Sequence, residues 1–175
     1  MLEIRVDGWR KGIRFASAHI TPEHKTCGRL HGHTYAVHLR MRGKQDAFGI
    51  VLDFGIITEV LKQIADEMDH LVLVPTAGNR YSDLKVTQES VEFRVVDPYT
   101  LEPKSFRFPR QDCCLLPIPS TTAEDLAKYV HGEFMRRTRF TTDTAFVQIG
   151  IDEGYGKGAW YTDGKSVAVD GQGFD

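Results

Sequence analysis

The chain has 175 residues, about one domain's worth of polypeptide, of which 41% are hydrophobic and 26% charged; this is the profile of a globular protein and excludes a disordered or collagen-like one. Twenty-two lysines and arginines against 24 aspartates and glutamates leave a net charge of −2, so the overall basic footprint of a nucleic-acid partner is absent. No apolar run reaches the roughly 18 residues that a membrane span needs, and Glu3, Arg5 and Asp7 interrupt the stretch where a signal peptide would be apolar, so a cytoplasmic protein with no membrane partner is expected.

No internal repeat or linker divides the sequence, which reads as one domain over residues 1–175 with an insertion. The first predicted strand covers about residues 12–19. The second, residues 34–42, alternates: Tyr35, Val37, Leu39 and Met41 share an apolar face, and His38, Arg40 and Arg42 a polar one. After a turn at residues 43–49, Asp53 is placed to cap a helix whose apolar residues Ile56, Ile57, Val60, Leu61, Ile64, Ala65 and Met68 recur at helical spacing. Residues 79–113 read as an inserted hairpin, with β segments near 84–95 and 104–108 about the turn Asp97-Pro98-Tyr99-Thr100. Cys113 and Cys114 fall in a strand leading into Leu115 and Leu116. Thr121 and Glu124 form a T-x-x-E capping box for a second helix, which carries Leu126, Ala127, Val130 and Phe134 and ends among Arg136, Arg137 and Arg139. A last strand, residues 145–153, puts Val147, Ile149, Ile151 and Glu153 on one face, and the Gly-rich tail from about residue 164 is expected to be mobile. Few alternating βα units are present, so the expected class is antiparallel α+β. With both helices on one face of a small sheet, the other face and the edges need cover, and an oligomer is expected.

The chemistry concentrates in Cys27-Gly28-Arg29-Leu30-His31-Gly32-His33, with His19 eight residues before the cysteine. If the second strand extends back to His31, period 2 directs His31 and His33 to one side, and His19 at the end of the preceding strand can join them. Three neutral imidazoles suit Zn²⁺ and leave a coordination position open, as in a catalytic site. The competing reading of an H-x-H pair is two strand histidines satisfied by backbone hydrogen bonds. His24, His38 and His131 lack this context and are assigned to solvated or locally paired positions, His38 because it falls on a polar face. Three cysteines, two of them adjacent, do not make a disulfide framework and leave Cys27 a free thiol. Cys27 has three readings: a fourth ligand, a small buried residue, or a base or nucleophile beside the metal. Asp69-His70 follows the first helix and is either an orienting acid with its imidazole or a helix-end histidine favoured by the dipole. Glu153 is either a carboxylate buried on an apolar strand face, where a ligand with two parallel N–H donors would satisfy it, or a residue past the strand end in solvent. Gly154-Tyr155-Gly156-Lys157-Gly158 is a weak phosphate-loop signal whose default reading is a flexible turn.

Taken together, Phe15-Ala16-Ser17-Ala18-His19, Cys27 through His33, Asp53-Phe54, Asp69-His70, the Thr-rich start of the second helix and Glu153 resemble the 6-pyruvoyltetrahydropterin synthase and 6-carboxytetrahydropterin synthase family. The resemblance implies the tunnelling fold, a four-stranded antiparallel sheet with two helices on one face, assembled into a barrel-like homo-oligomer, usually a hexamer. By carry-over, His19, His31 and His33 would hold zinc, Cys27 would be the catalytic thiol, and Asp69 with His70 would complete a proton-transfer triad. Glu153 would anchor the pterin ring, helped by Thr122; Glu124 also matches the motif, although its capping role accounts for it without a ligand. The implied substrate is 7,8-dihydroneopterin triphosphate. Three residues separate Cys27 from His31, as in the carboxy-type enzymes of 7-deazapurine (queuosine or archaeosine) biosynthesis, whereas pyruvoyl-type members have a longer spacer. The insertion at 79–113 is the departure, reminiscent of archaeal-type members. The alternatives are a pyruvoyl-type synthase and a non-catalytic zinc-containing pterin or purine-binding module.

Overall fold

The computed structural model describes residues 1–22 and 24–165. The expected tail lies outside the described residues from 166 onward. The chain runs β1 (Leu2–Val6), α1 (Gly8–Lys11), β2 (Arg14–His19) and β3 (His31–Gly43), and β3 is the spine of the main sheet. One edge of β3 is shared by β2, which pairs with residues 31–36, and β1, which pairs with residues 39–43. The turn between β1 and β2 fits because two glycines permit it: Gly12 takes φ +66°, and a Cβ at Gly8 would fall 2.2 Å from the Val37 carbonyl oxygen. Neither β1 nor α1 was anticipated from the sequence, where Glu3, Arg5 and Asp7 mask a strand lying half exposed at the sheet edge.

The second edge of β3 takes β9 (Thr144–Glu153), followed by β10 (Gly158–Tyr161), all antiparallel. Strands β10, β9, β3 and β2 are the expected four-stranded antiparallel sheet. It is extended beyond β2 by two parallel strands that sequence reading did not place in the sheet, β4 (Val72–Pro75) and β8 (Cys113–Leu116). Helices α2 (Phe54–Asp66) and α3 (Ala123–Arg137) cover one face. Asp53 caps α2 as expected, accepting from the Gly55 and Ile56 N–H groups. Ile57, Leu61 and Ile64 of α2 and Leu126, Val130 and Phe134 of α3 pack on Phe15, Tyr35, Val37, Leu39 and Met41, all fully buried. At about 1.5–3 kcal/mol per large side chain this burial dominates the fold. Ile56, assigned to the apolar face, is 45% exposed, one position off the buried stripe.

Three further expectations are corrected. The insertion is a three-stranded antiparallel sheet, β5 (Ser82–Val86), β6 (Ser90–Val96) and β7 (Pro103–Pro109), in place of a hairpin. The predicted 84–95 segment breaks because the Thr87 hydroxyl accepts from the Glu89 and Ser90 N–H groups and so turns the chain. Tyr81, Val91, Phe93 and Val95 give the insert its own apolar cluster, shared with Ile20, Val74 and Cys113 of the main fold. His38 is buried, its Nδ1 accepting from the Gly8 N–H and its Nε2 lying 3.2 Å from Asp152, because α1 and β10 cover what looked like a solvent face. His131 is likewise buried, its ring edge-on to Tyr161 of β10.

Candidate active site

In the β2–β3 ladder His19 stands opposite His31, and Ser17 opposite His33, so all three imidazoles leave the same face. The condition on the histidine pair is met, since β3 starts at His31. One nitrogen from each ring falls within 4.8 Å of the others. Backbone acceptors fix the tautomers of two of them. His19 Nδ1–H donates to the Thr121 carbonyl at 2.9 Å, and His31 Nδ1–H donates to the Arg29 carbonyl at 2.7 Å. Their Nε2 atoms, both left as lone-pair donors, approach to 3.1 Å.

Burial pushes His19 down to about 4, helped by neighbouring His31, so it is neutral at physiological pH. Burial also pulls His33 down, and its Nε2 is buried with no hydrogen-bond partner among the described residues. An orphaned, solvent-excluded ring nitrogen beside two converging lone pairs is costly, and a cation that meets it removes the cost. The three imidazoles therefore fit a divalent metal.

A cavity of about 280 Å³ opens beside this cluster, lined by His19, Cys27, Thr122 and Glu153. Glu124, Lys157, His24 and Thr21 are also on its wall. Cys27 is half-buried on the loop between β2 and β3. The loop is closed on itself: Thr21 N–H donates to the Cys27 carbonyl, Gly28 N–H to the His24 carbonyl, and Cys27 N–H to His24 Nδ1. His24 is thus locally paired, as expected, and holds the loop's shape.

Strand β9 runs to Glu153, which stands opposite Tyr35 in the β3–β9 ladder, so the carboxylate is on the strand and not past its end. Burial pushes it upward, Glu124 adds to this, and Lys157 and His31 oppose it. The β9–β10 turn is tight, with Glu153 N–H donating to the Lys157 carbonyl and Gly154 and Gly156 at φ +85° and +86°.

Helix α3 starts one residue later than the expected capping box. Thr122, not Thr121, is the cap, and its hydroxyl accepts from Asp125 N–H. Two consequences follow. Thr121 is released to hold His19, through both its carbonyl and its hydroxyl, and Glu124 is exposed on the cavity wall with no capping duty. Sequence reading missed Thr121 and Lys157 as site residues; the only signal was the weak glycine-rich segment around Lys157.

Asp69 and His70 are elsewhere. His70 Nδ1 pairs with Asp69 at 2.7 Å, but its side chain is 83% exposed. The Asp69 carboxylate accepts from Ala16 N–H, and Ala16 O accepts from His70 N–H, which holds His70 at φ +58°. Desolvation raises Asp69, yet the Ala16 N–H and the His70 ring together keep it below the usual carboxylate range. His70 lines a different cavity from Cys27, with Ala16, Ala18, Gly32 and Thr34, and His33 of the histidine cluster is also on its wall. Within one chain, therefore, Cys27 and His70 border different cavities.

The family model for 6-pyruvoyl tetrahydropterin synthase matches residues 9–163. The chain belongs to that family. Its members are lyases that act on pterins, and this chain is a pterin synthase of that kind. It is 38% identical over 92% of its length, and over 95% of the other protein, to a Methanocaldococcus jannaschii protein provisionally named 6-carboxy-5,6,7,8-tetrahydropterin synthase. It is 27% identical over 69% of its length to the 6-carboxy-5,6,7,8-tetrahydropterin synthase of Haemophilus influenzae, of which it covers 76%. Among solved structures, 6-pyruvoyl tetrahydropterin synthase from Plasmodium vivax superposes with a TM-score of 0.80 over 94% of this chain and 98% of that one, at 22% identity. That likeness shows the fold, the tunnelling fold of the family. Among the described residues, no helix is long and apolar enough to cross a membrane.

Proposed function

We propose that this pterin synthase is a zinc-dependent 6-carboxy-5,6,7,8-tetrahydropterin synthase, converting 7,8-dihydroneopterin triphosphate and one water to 6-carboxytetrahydropterin with release of triphosphate and acetaldehyde, in cytoplasmic 7-deazapurine (queuosine or archaeosine) biosynthesis. The observation that carries it is one cavity lined by His19 of the histidine cluster, the Cys27 thiol and the Glu153 carboxylate. The names of the relatives and the three-residue spacer from Cys27 to His31 favour the carboxy product over the pyruvoyl one.

His19, His31 and His33 hold the ion, oriented by Thr121 and the Arg29 carbonyl. Zn²⁺ bound there supplies Lewis acidity to the substrate's side-chain hydroxyls. Glu153 accepts from the parallel N–H donors of the pterin ring, a bidentate contact whose strength comes from the carboxylate's charge and burial; Thr122 and Glu124 flank it. Cys27 removes a proton from the side chain, and Asp69 orients His70 for the second proton transfer. Since His70 opens to a different cavity from Cys27, this role requires a second copy to bring its Asp69–His70 pair to the first copy's cavity. The functional unit is then a homo-oligomer, a hexamer by resemblance.

Incubating the zinc-loaded protein with 7,8-dihydroneopterin triphosphate tests the reading. Acetaldehyde with a carboxylated pterin is expected. A pyruvoyl pterin without acetaldehyde would reassign it to the other branch. No turnover, with unfolding on zinc removal, would leave a binding module.

A further inference from the structure

The insert is not an appendage of the site. The tip between β6 and β7 packs on the loop that carries Cys27. Pro98 fills the space a side chain at Gly28 would need, its Cγ lying 2.6 Å from that Cβ position. Tyr99 lies under the Arg29 guanidinium, 4.6 Å from ring centroid to Cζ. At the other end of the same loop, Tyr81 donates its hydroxyl to the Ile20 carbonyl at 3.0 Å, and the Ile20 side chain is buried in the insert's apolar cluster. The insert therefore grips the Cys27 loop at both ends.

The tip is built to be stiff. Asp97 is 2% exposed, accepts from the Tyr99 and Thr100 N–H groups and is paired with Lys104. Leu101 N–H donates to the Asp97 carbonyl and Asp97 N–H to the Glu102 carbonyl. What such a tip touches it holds in place. Gly28 and Arg29 follow Cys27 directly, and the Arg29 carbonyl receives the Nδ1–H of His31, so a shift of this segment moves both the thiol and one of the three clustered imidazoles.

We infer that the inserted sheet braces the Cys27 loop, with Tyr99 as a positioning residue that acts through Arg29 on the thiol. The inference rests on Cys27 being the reactive thiol of the proposed reaction. It also gives Arg29 a structural role, as the side chain through which the Tyr99 ring holds the loop.

The experiment uses the whole 175-residue chain loaded with zinc and the variants Tyr99→Ala, Tyr99→Phe and Cys27→Ala. Tyr99 is 54% exposed and is not part of the insert's apolar cluster, so its truncation leaves that cluster whole, which an unchanged melting temperature verifies. Amide hydrogen exchange of residues 24–30 and the rate of iodoacetamide alkylation of Cys27 are measured, with Cys27→Ala subtracting Cys113 and Cys114. In Tyr99→Ala both are expected to be about threefold faster, the size of one exposed cation–π contact, and kcat to fall more than KM rises. Tyr99→Phe, which keeps the ring face, stays at the wild-type values. Exchange and alkylation in Tyr99→Ala that match the wild type overturn the brace, as does a Tyr99→Phe that behaves like Tyr99→Ala. A KM effect alone, with unchanged exchange, would show Tyr99 and Arg29 acting on substrate binding instead and would also overturn it. If exchange and alkylation change as expected but no variant, nor the wild type, makes a pterin product, the brace stands and the catalytic reading falls.

Discussion

His19 and His31 face each other directly across the β2–β3 ladder with their Nε2 atoms 3.1 Å apart, each ring's Nδ1–H already given to a backbone carbonyl. Two lone pairs repel at that distance, and a cation between them removes the repulsion. Together with the orphaned His33 Nε2, they favour one bound divalent ion per chain. Replacing His33 by alanine should lower bound zinc, measured by metal analysis after dialysis, at least tenfold while the circular dichroism spectrum is retained. Stoichiometric zinc in that variant would remove His33 from the ligand set.

Metal-free protein should become less stable as the pH falls below 6.5. His19 is pulled from 6.5 to about 4 in the folded state, so between these values the unfolded chain binds the proton that the folded chain refuses. The stability is complete above pH 6.5 and is lost as pH approaches 4, by at most about 3 kcal/mol. Urea melts of the metal-free chain at pH 7.5 and 5 check this, and the loss should shrink in His19→Gln.

Glu153→Gln keeps the shape of the side chain and removes the charge that makes it a twofold acceptor. A loss of pterin affinity of about 2 kcal/mol, some thirtyfold, is expected from one unmatched charge-assisted contact. In the wild type, burial raises the Glu153 carboxyl, so substrate binding should weaken as pH falls through a value above 4.5, and that limb should vanish in the variant. Titration of ligand fluorescence against pH measures both.

The separation of His70 from the Cys27 cavity makes a prediction about assembly. Cys27→Ala and His70→Ala, each inactive alone, should regain activity when dissociated and reassembled together, to roughly a quarter of the wild-type level if copies mix at random and each site takes one group from each of two copies. Continued inactivity of the mixed oligomer would place both groups in one chain's site and contradict the arrangement described here.

Much of this molecule is legible in the residues taken singly or at short spacing. The alternation of Tyr35, Val37, Leu39 and Met41, the Asp53 cap, and the shared strand face of His31 and His33 are local properties, set by period 2, period 3.6 and one hydrogen-bonding side chain, and each reappears in the structure. So are Glu153 at the end of its strand and Cys27 near the histidines, because a few residues of chain link them to the elements that place them.

What only the tertiary structure decided depends on partners far along the chain. His38 reads as a surface residue until α1 and β10 cover it and Asp152 meets it. Thr121 reads as a helix cap until His19, 102 positions away, claims its carbonyl and the cap passes to Thr122. The resemblance groups Asp69 and His70 with Cys27, yet the Ala16 backbone holds them at a different cavity, bordered by Gly32, His33 and Thr34 of β3. The insert's grip on Gly28 and Arg29 has no short-range signal at all, since a proline and a tyrosine in a turn announce a bend and not what the bend will touch. Local periodicity specifies which way a side chain points; which surface arrives to meet it is decided only when distant segments pack.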